Sequence, residues 1–388
     1  MSSKRKSLRY SQKRLDRLDY KREESATLRM KVLRSVLAVG VGFALTPWLG
    51  RQALAGDPAT LTAGNIVRTG QKDNLIASGT AHIYAEKASN GVGLNAFEHF
   101  SVGNNQIANM YFQKEGSTEV LNTLVNTVND RISIYGTVNA LRNNKIGGKL
   151  YFLSDKGMVV GAGGVINAGA LTMITSGTTF DTPAQAADAI TANNWELNPT
   201  APIDIHGQIN TATGIDLRAA YINVVKPTGA DANTPAPSLK TGVKFKSLVN
   251  VSSDNYKDLV DTGRLNVSLD DKGNIVIADP SNTGAQDETP ITGDGSIKLA
   301  AYSDSKNAKT KFLEIESITN TVEAKVEVGE GAIIDARGNV EISAEAKRLQ
   351  RTKITEFWDM VAFTKADTTV NGSVTGADVK ISSKASSE

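Results

Sequence analysis

The feature that most constrains this 388-residue chain is a short repeat in its second half. One copy runs Val326-Glu327-Val328, then Gly331-Ala332-Ile333-Ile334-Asp335-Ala336, then Gly338-Asn339-Val340-Glu341-Ile342-Ser343-Ala344. The next runs Val370-Asn371-Gly372-Ser373-Val374, then Gly376-Ala377-Asp378-Val379-Lys380-Ile381-Ser382-Ser383, and both close on V-x-I-S. Looser copies are Ile203 to Ile209 followed by Gly214 to Ala219, and Ser296 to Ala301. In each, Val, Ile and Ala alternate with polar residues, so one side of every strand is apolar. A unit of about 20 residues cannot bury that side alone, whereas stacking the units as coils does so. The expected fold class is therefore all-β, a parallel β-helix with extra-helical hairpins and one or two short helices. If the body of the chain made coils of about 22 residues, about 4.8 Å apart, the rod would be about 70 Å long, less whatever insertions absorb.

Charge is segregated along the chain. Residues 1–55 hold 13 Lys and Arg against 4 Asp and Glu, which leaves 30 basic and 37 acidic residues for 56–388. A body with that sign has no general attraction for nucleic acid or an anionic membrane. The chain has no cysteine. That fits a reducing compartment, and equally a chain that must pass a narrow pore unfolded.

The amino-terminal segment has the layout of a secretory signal. A basic stretch precedes the apolar run Val36 to Leu45, and Ala53-Leu54-Ala55 precedes Gly56. This is the n-region, h-region and small-residue cleavage order, with cleavage expected between Ala55 and Gly56. The apolar run is shorter than the ~20 residues that span a bilayer as a helix.

Beyond it, brief strands are expected at Ile66-Val67, Ile76-Ala77 and His82-Ile83-Tyr84, and over 93–102, where Phe97 and Phe100 stand three apart. Gln106 to Phe112 reads as a half-buried strand. Lys149 to Leu153 and Met158 to Val160 read as apolar strands around a turn at Asp155, Lys156 and Gly157. Thr182 before Pro183 begins a short helix over 182–194. Two insertions are expected. Residues 228–293 surround a hairpin of Leu265–Leu269 with Asn274–Ile277. Residues 346–364 carry Ile354, Phe357, Trp358 and Val361 at helical spacing. The last repeat runs nearly to Glu388 without a closing cap, so a longer natural chain is expected.

No catalytic constellation emerges. His82, His99 and His206 have no metal-ligand spacing. There is no nucleophile elbow, phosphate loop or dinucleotide fingerprint. Asp270 and Asp271 sit in the expected hairpin turn. A β-helical glycosidase or lyase would need facing carboxylates or a metal site on one face, and the acidic residues are scattered. No enzyme activity, cofactor or metal is expected.

Three ordered stretches carry a family resemblance. Leu94-Asn95-Ala96-Phe97-Glu98-His99-Phe100-Ser101-Val102 resembles an N-x-F-x-x-F-x-V strand. Leu124 to Val128, with Asn126, then Ile132 to Val138, with Gly136, resembles V-N-R-V followed by S-x-I-x-G-x-I. Lys149 to Thr175 resembles the stretch around N-P-N-G-I, and here Ser154-Asp155-Lys156-Gly157-Met158 stands in its place, without the Asn and Pro. Together they resemble the secretion domain of two-partner-secretion exoproteins of the filamentous-haemagglutinin type, with leukotoxin-like filamentous adhesins as a possible branch. The resemblance implies a secretion domain at 57–200 and a β-helical shaft at 201–388. It implies export through the inner membrane, recognition by an outer-membrane β-barrel transporter with periplasmic soluble domains, and folding outside the cell as a right-handed β-helix. A host or neighbouring-cell receptor or glycan is the further partner implied. Asn126, Gly136, Asp155, Gly157, Gly161 and Asn167 are the expected turn and coil-defining residues. The rival readings are a toxin or haemolysin carrier exported the same way, a β-helical polysaccharide-degrading enzyme, and an autotransporter passenger.

Overall fold

The computed structural model describes residues 61–143, 145–232, 234–243, 245, 267–269, 275–277, 293–304, 309–312, 315–318, 321–348 and 363–387. The expected signal and its cleavage site at Ala55 and Gly56 lie outside these, as does the helical stripe from Ile354 to Val361.

The chain winds as a three-faced parallel β-helix. The first face stacks Thr80–Ala85, Ile107–Lys114, Thr137–Arg142, the start of Val165–Ile174, the start of Gln208–Ala219, Ser238–Lys240, Ile333–Asp335 and Ser373–Thr375. The second stacks the start of Val92–Val102, Thr123–Val128, Lys149–Leu153, the ends of Val165–Ile174 and Gln208–Ala219, then Ile297–Asp304, Val340–Arg348 and Val379–Ser387. The third stacks the end of Val92–Val102, Ile132–Ile134, Met158–Val160, Pro202–Ile205, Tyr221–Val224, Thr321–Val328 and Phe363–Val370. Every one of these pairings is parallel. The two V-x-I-S strands lie in direct register, Val340 on Val379 and Ile342 on Ile381.

Alternation turns one residue in two to the interior, and the resulting core is continuous from Ile66 to Ala346. Eight first-face strands at about 4.8 Å spacing make a stack about 34 Å long, half the expected length. First-face strands begin at 80, 107, 137 and 165, so even the plain coils are longer than supposed. After Ile297–Asp304 the hairpin Lys309–Phe312 with Ile315–Ile318 comes before the next strand of the stack, Thr321–Val328.

Several local expectations are corrected. Ile76-Ala77 is a turn, with Ile76 fully buried as a core plug. Phe97 and Phe100 both point inward despite odd spacing, because Val92–Val102 leaves the second face and enters the third between them. Ile107–Lys114 is buried on both sides over Ile107–Met110 and alternates as expected only from Tyr111 on. The stretch expected as an insertion at 228–293 contributes Ser238–Lys240 to the stack, and 346–364 contributes the ends of Val340–Arg348 and Phe363–Val370. The expected hairpin forms over Val267–Leu269 and Ile275–Ile277. A second, Lys309–Phe312 with Ile315–Ile318, was not expected.

Helix α1, Pro183–Ala192, starts as expected, with Thr182 as N-cap. Gln185 completes a capping box by returning its side chain to the Thr182 N–H, and Asn193 ends the helix in the left-handed region.

Glycine is required where the third face turns into the first. A Cβ on Gly136 would stand 2.3 Å from the carbonyl oxygens of both Gln106 and Gly103, and one on Gly207 equally close to those of Gly161 and Gly164. The cause is close approach between coils, not a left-handed backbone. Gly136→Ala is expected to cost about 2–3 kcal/mol by overpacking. Gly214→Ala, whose Cβ would meet nothing closer than 3.4 Å, is expected to be neutral or stabilising; urea unfolding midpoints of the two variants check this.

Candidate functional site

The residues picked out by the family resemblance all fall in the first four coils, and they build those coils from inside and outside. Phe97 and Phe100 meet edge to face at 5.3 Å between centroids, and Phe100 packs on Phe152 two coils on at 5.1 Å. Met158 is fully buried in line with Ile132 and Ile203.

Asn95 and Asn126 are fully buried strand residues, so Asn126 defines its coil from within a strand rather than at a turn. Alternation places Asn126 on the same side as Leu124 and Val128, inside the core. Burying an amide there requires that it be hydrogen-bonded. Asn95 accepts from the Glu86 N–H at 2.9 Å and donates to Asn126 Oδ1 at 3.0 Å. Asn126 donates in turn to the Tyr151 carbonyl at 2.9 Å.

Asn167 belongs to a longer ladder on the first face. Asn139 Nδ2 donates to Asn109 Oδ1, Asn167 to Asn139, and Asn210 to Asn167, at 3.1, 3.0 and 3.1 Å. Asn167 stands between the core residues Ile166 and Ala168, so this ladder runs on the side of the strands away from the core. It is nonetheless buried. It ends where Lys240 takes the next position, and the Asn210 Oδ1 is left without a partner. Sequence reasoning singled out Asn167 and missed Asn109, Asn139 and Asn210. A signal was present: Val138-Asn139-Ala140, Ile166-Asn167-Ala168 and Ile209-Asn210-Thr211 share an apolar–Asn–small pattern at corresponding points of successive coils.

The turn Ser154 to Gly157 joins the second and third faces. Ser154 is buried, donates to the Asp130 carbonyl at 2.7 Å and accepts from the Lys156 N–H at 3.1 Å. Lys156 pairs with Asp155 at 3.0 Å on the surface. Gly157 has φ +88° with the Pro202 carbonyl 2.7 Å from where a Cβ would be, so glycine is doubly required. Gly161 is packed against the Tyr135 ring. Asn129, Asp155, Lys156, Ser176 and Thr178 line a small half-open groove of about 250 Å³ beside this turn.

The outer side of the second face carries a separate apolar cluster. Leu94, Val125, Leu153 and Ile174 are covered by Ala186 of α1 and by Leu197. In the next coil the same face turns charged: Arg218 chelates Asp216 and donates to Asn193 at 2.6 Å, and the Asp216 hydrogen bonds raise its guanidinium pKa. Tyr151 nearby has its phenol pKa raised, chiefly by burial.

His82 hydrogen-bonds Tyr111, His99 pairs with Asp130, and His206 Nδ1 donates to the Val225 carbonyl. They share no site. Among the described residues no three His, Cys, Asp or Glu side chains gather as metal ligands. The arrangement can fix register and present surfaces. No protein-family model matches the chain, and no curated protein matches it.

Asn139 both donates and accepts within the ladder. Asn139→Ala strands a buried acceptor above and a buried donor below, and is expected to cost about 2–5 kcal/mol, against about 1–2 for Asn210→Ala, which breaks a single bond. Thermal melts of the two variants check the ratio.

Proposed function

We propose that this chain is the amino-terminal part of a secreted filamentous adhesin of the two-partner-secretion type. In this reading coils one to four form the recognition head for an outer-membrane barrel transporter, and the later coils begin a shaft that displays binding surface to a host or neighbouring cell. The observation that supports it most is the order of the motifs. Asn95 to Val102, Asn126 to Gly136 and Ser154 to Asn167 follow one another as successive coils, and their residues are the inter-coil contacts of that region. A β-helix also suits this task physically. Each coil contacts only its neighbours, so folding can advance coil by coil as a chain emerges from a pore. A cysteine-free chain forms no disulfide that would have to be undone before threading. We read the chain as a binding and export protein rather than an enzyme.

The test is export from a bacterium with an outer membrane, with and without a barrel transporter bearing periplasmic soluble domains. The full chain is expected in the medium, beginning at Gly56 by intact mass, only with the transporter; a chain lacking 61–205 is expected to stay inside. Export without the transporter, or retention of residues 1–55 on exported material, would refute this reading.

A further inference from the structure

Two of the three faces of the early coils are covered by the chain itself. On the first, the outer asparagines Asn139 and Asn167 are buried. On the second, Leu94, Val125, Leu153 and Ile174 lie under α1 and Leu197. The corner between the second and third faces is open, with Asn129, Lys156 and Thr179 exposed. Three successive coils meet there, through Thr127 to Asn129, Leu153 to Lys156 and Ser176 to Thr179, and between them lies the groove of about 250 Å³. Its walls are fixed. Asn198 ties two coils together, its Nδ2 donating to the Asp155 carbonyl and its N–H to the Thr175 carbonyl, both at 2.7 Å. Ser176 Oγ accepts from the Thr178 N–H at 3.3 Å and lies 2.8 Å from the Thr178 hydroxyl.

The chemistry of the lining limits what can enter. Asn129 spends its Nδ2 on Glu98 at 2.8 Å, which leaves its carbonyl oxygen to accept. Asp155 holds Lys156 with one carboxylate oxygen, which leaves the other. Thr178 and Thr179 add hydroxyls that both donate and accept. Beside these polar groups the buried Val128 and Leu153 give an apolar wall. The Asp155–Lys156 pair cancels its own charge, so the groove offers an anion no net cationic field. Among the described residues no aromatic ring lines it, so a nucleobase has nothing to stack on. A wholly apolar ligand would cut the threonine hydroxyls off from water. A saccharide ring matches what is left. Its rim carries hydroxyls that donate and accept, and its faces are C–H. The volume lies below the roughly 300–1,000 Å³ of pockets for drug-sized ligands, so it takes one ring, and the open side leaves room for a chain attached to it.

We infer that this groove binds the terminal neutral sugar ring of a glycan. Hydroxyls of the ring donate to the free oxygens of Asn129 and Asp155 and accept from Thr178 and Thr179, while a C–H face rests on Val128 and Leu153. Lys156 holds the Asp155 carboxylate in place and makes no ionic contact with the ligand. The inference rests on the groove alone and stands whether or not the export reading does.

The test uses the full chain and saturation-transfer NMR. The probes are the methyl glycosides of glucose, galactose, mannose and N-acetylglucosamine, with sodium glucuronate as the anionic comparison. At least one neutral glycoside is expected to bind, with a dissociation constant of about 1 mM for so small a contact. Gly177→Leu is expected to abolish that binding. A Cβ there would stand 3.3 Å from the Asp155 Cβ, at the lining of the groove, and the rest of the leucine would fill it. Gly177 is exposed and has no left-handed backbone, so the melting midpoint of this variant is expected to stay unchanged. Thr178→Val removes one hydroxyl at nearly constant shape and is expected to weaken binding about fivefold. Binding of no neutral glycoside, equal binding by the folded Gly177→Leu chain, or tighter binding of glucuronate than of every glycoside overturns the inference. If Gly177→Leu lowers the melting midpoint, Thr178→Val decides, and unchanged binding there overturns it.

Discussion

Everything in this structure depends on parallel register between consecutive coils. Strand-to-strand hydrogen bonds set the spacing, and that spacing brings each residue against its equivalent in the next coil. What a position can hold is then decided by what it does to a neighbour of its own kind. An amide both donates and accepts, so asparagine can sit on asparagine repeatedly, and the ladder from Asn109 to Asn210 does so. A charge cannot sit on its like, so the charged lines alternate in sign. Aliphatic and aromatic residues stack without either restriction and fill the interior.

The same rule divides the molecule along its axis. In the early coils the outer side of the second face is aliphatic and needs a cover, which α1 and Leu197 supply. From Asp216 and Arg218 onward charged residues enter that face, Lys298, Glu341 and Lys380 following Asp216 in line with alternating sign, while Tyr302 still packs against the aliphatic cluster. The corners follow the rule too. Gly136 and Gly207 stand where the backbone of one coil comes within reach of the carbonyls of the one before, and any side chain there would force the coils apart.

The fold was legible because its signal repeats. Alternating Val, Ile and Ala with glycine turns in two aligned copies implied stacking, and those copies stack in register as Val340 on Val379. The capped helix was legible from Thr182 and Pro183 with the alanine-rich run after them, since a cap is a local contact. What was not legible depends on where the chain turns. Phe97 and Phe100 look ill-spaced until the corner between them is known. Ile76 looks like a strand residue because burial and β-propensity share the same side chains. Asn126 and Asn167 are picked out by the resemblance as turn or coil-defining residues; only the coil period reveals them as partners across strands. The stack is shorter than expected because each coil takes up more chain than the two late repeats suggest: first-face strands begin at 80, 107, 137 and 165.

The central claim is the register itself, and the absence of cysteine makes it directly measurable. Lys298, Glu341 and Lys380 lie on one line in three successive coils. Neighbouring coils are about 4.8 Å apart and alternate coils about 9.6 Å, on either side of the ~7 Å Cα separation a disulfide can bridge. Mild oxidation of the folded chain carrying Lys298→Cys with Glu341→Cys, or Glu341→Cys with Lys380→Cys, is predicted to form an intramolecular disulfide. The pair Lys298→Cys with Lys380→Cys is predicted not to. A bridge in the last variant, or none in the first two, would contradict the stack described.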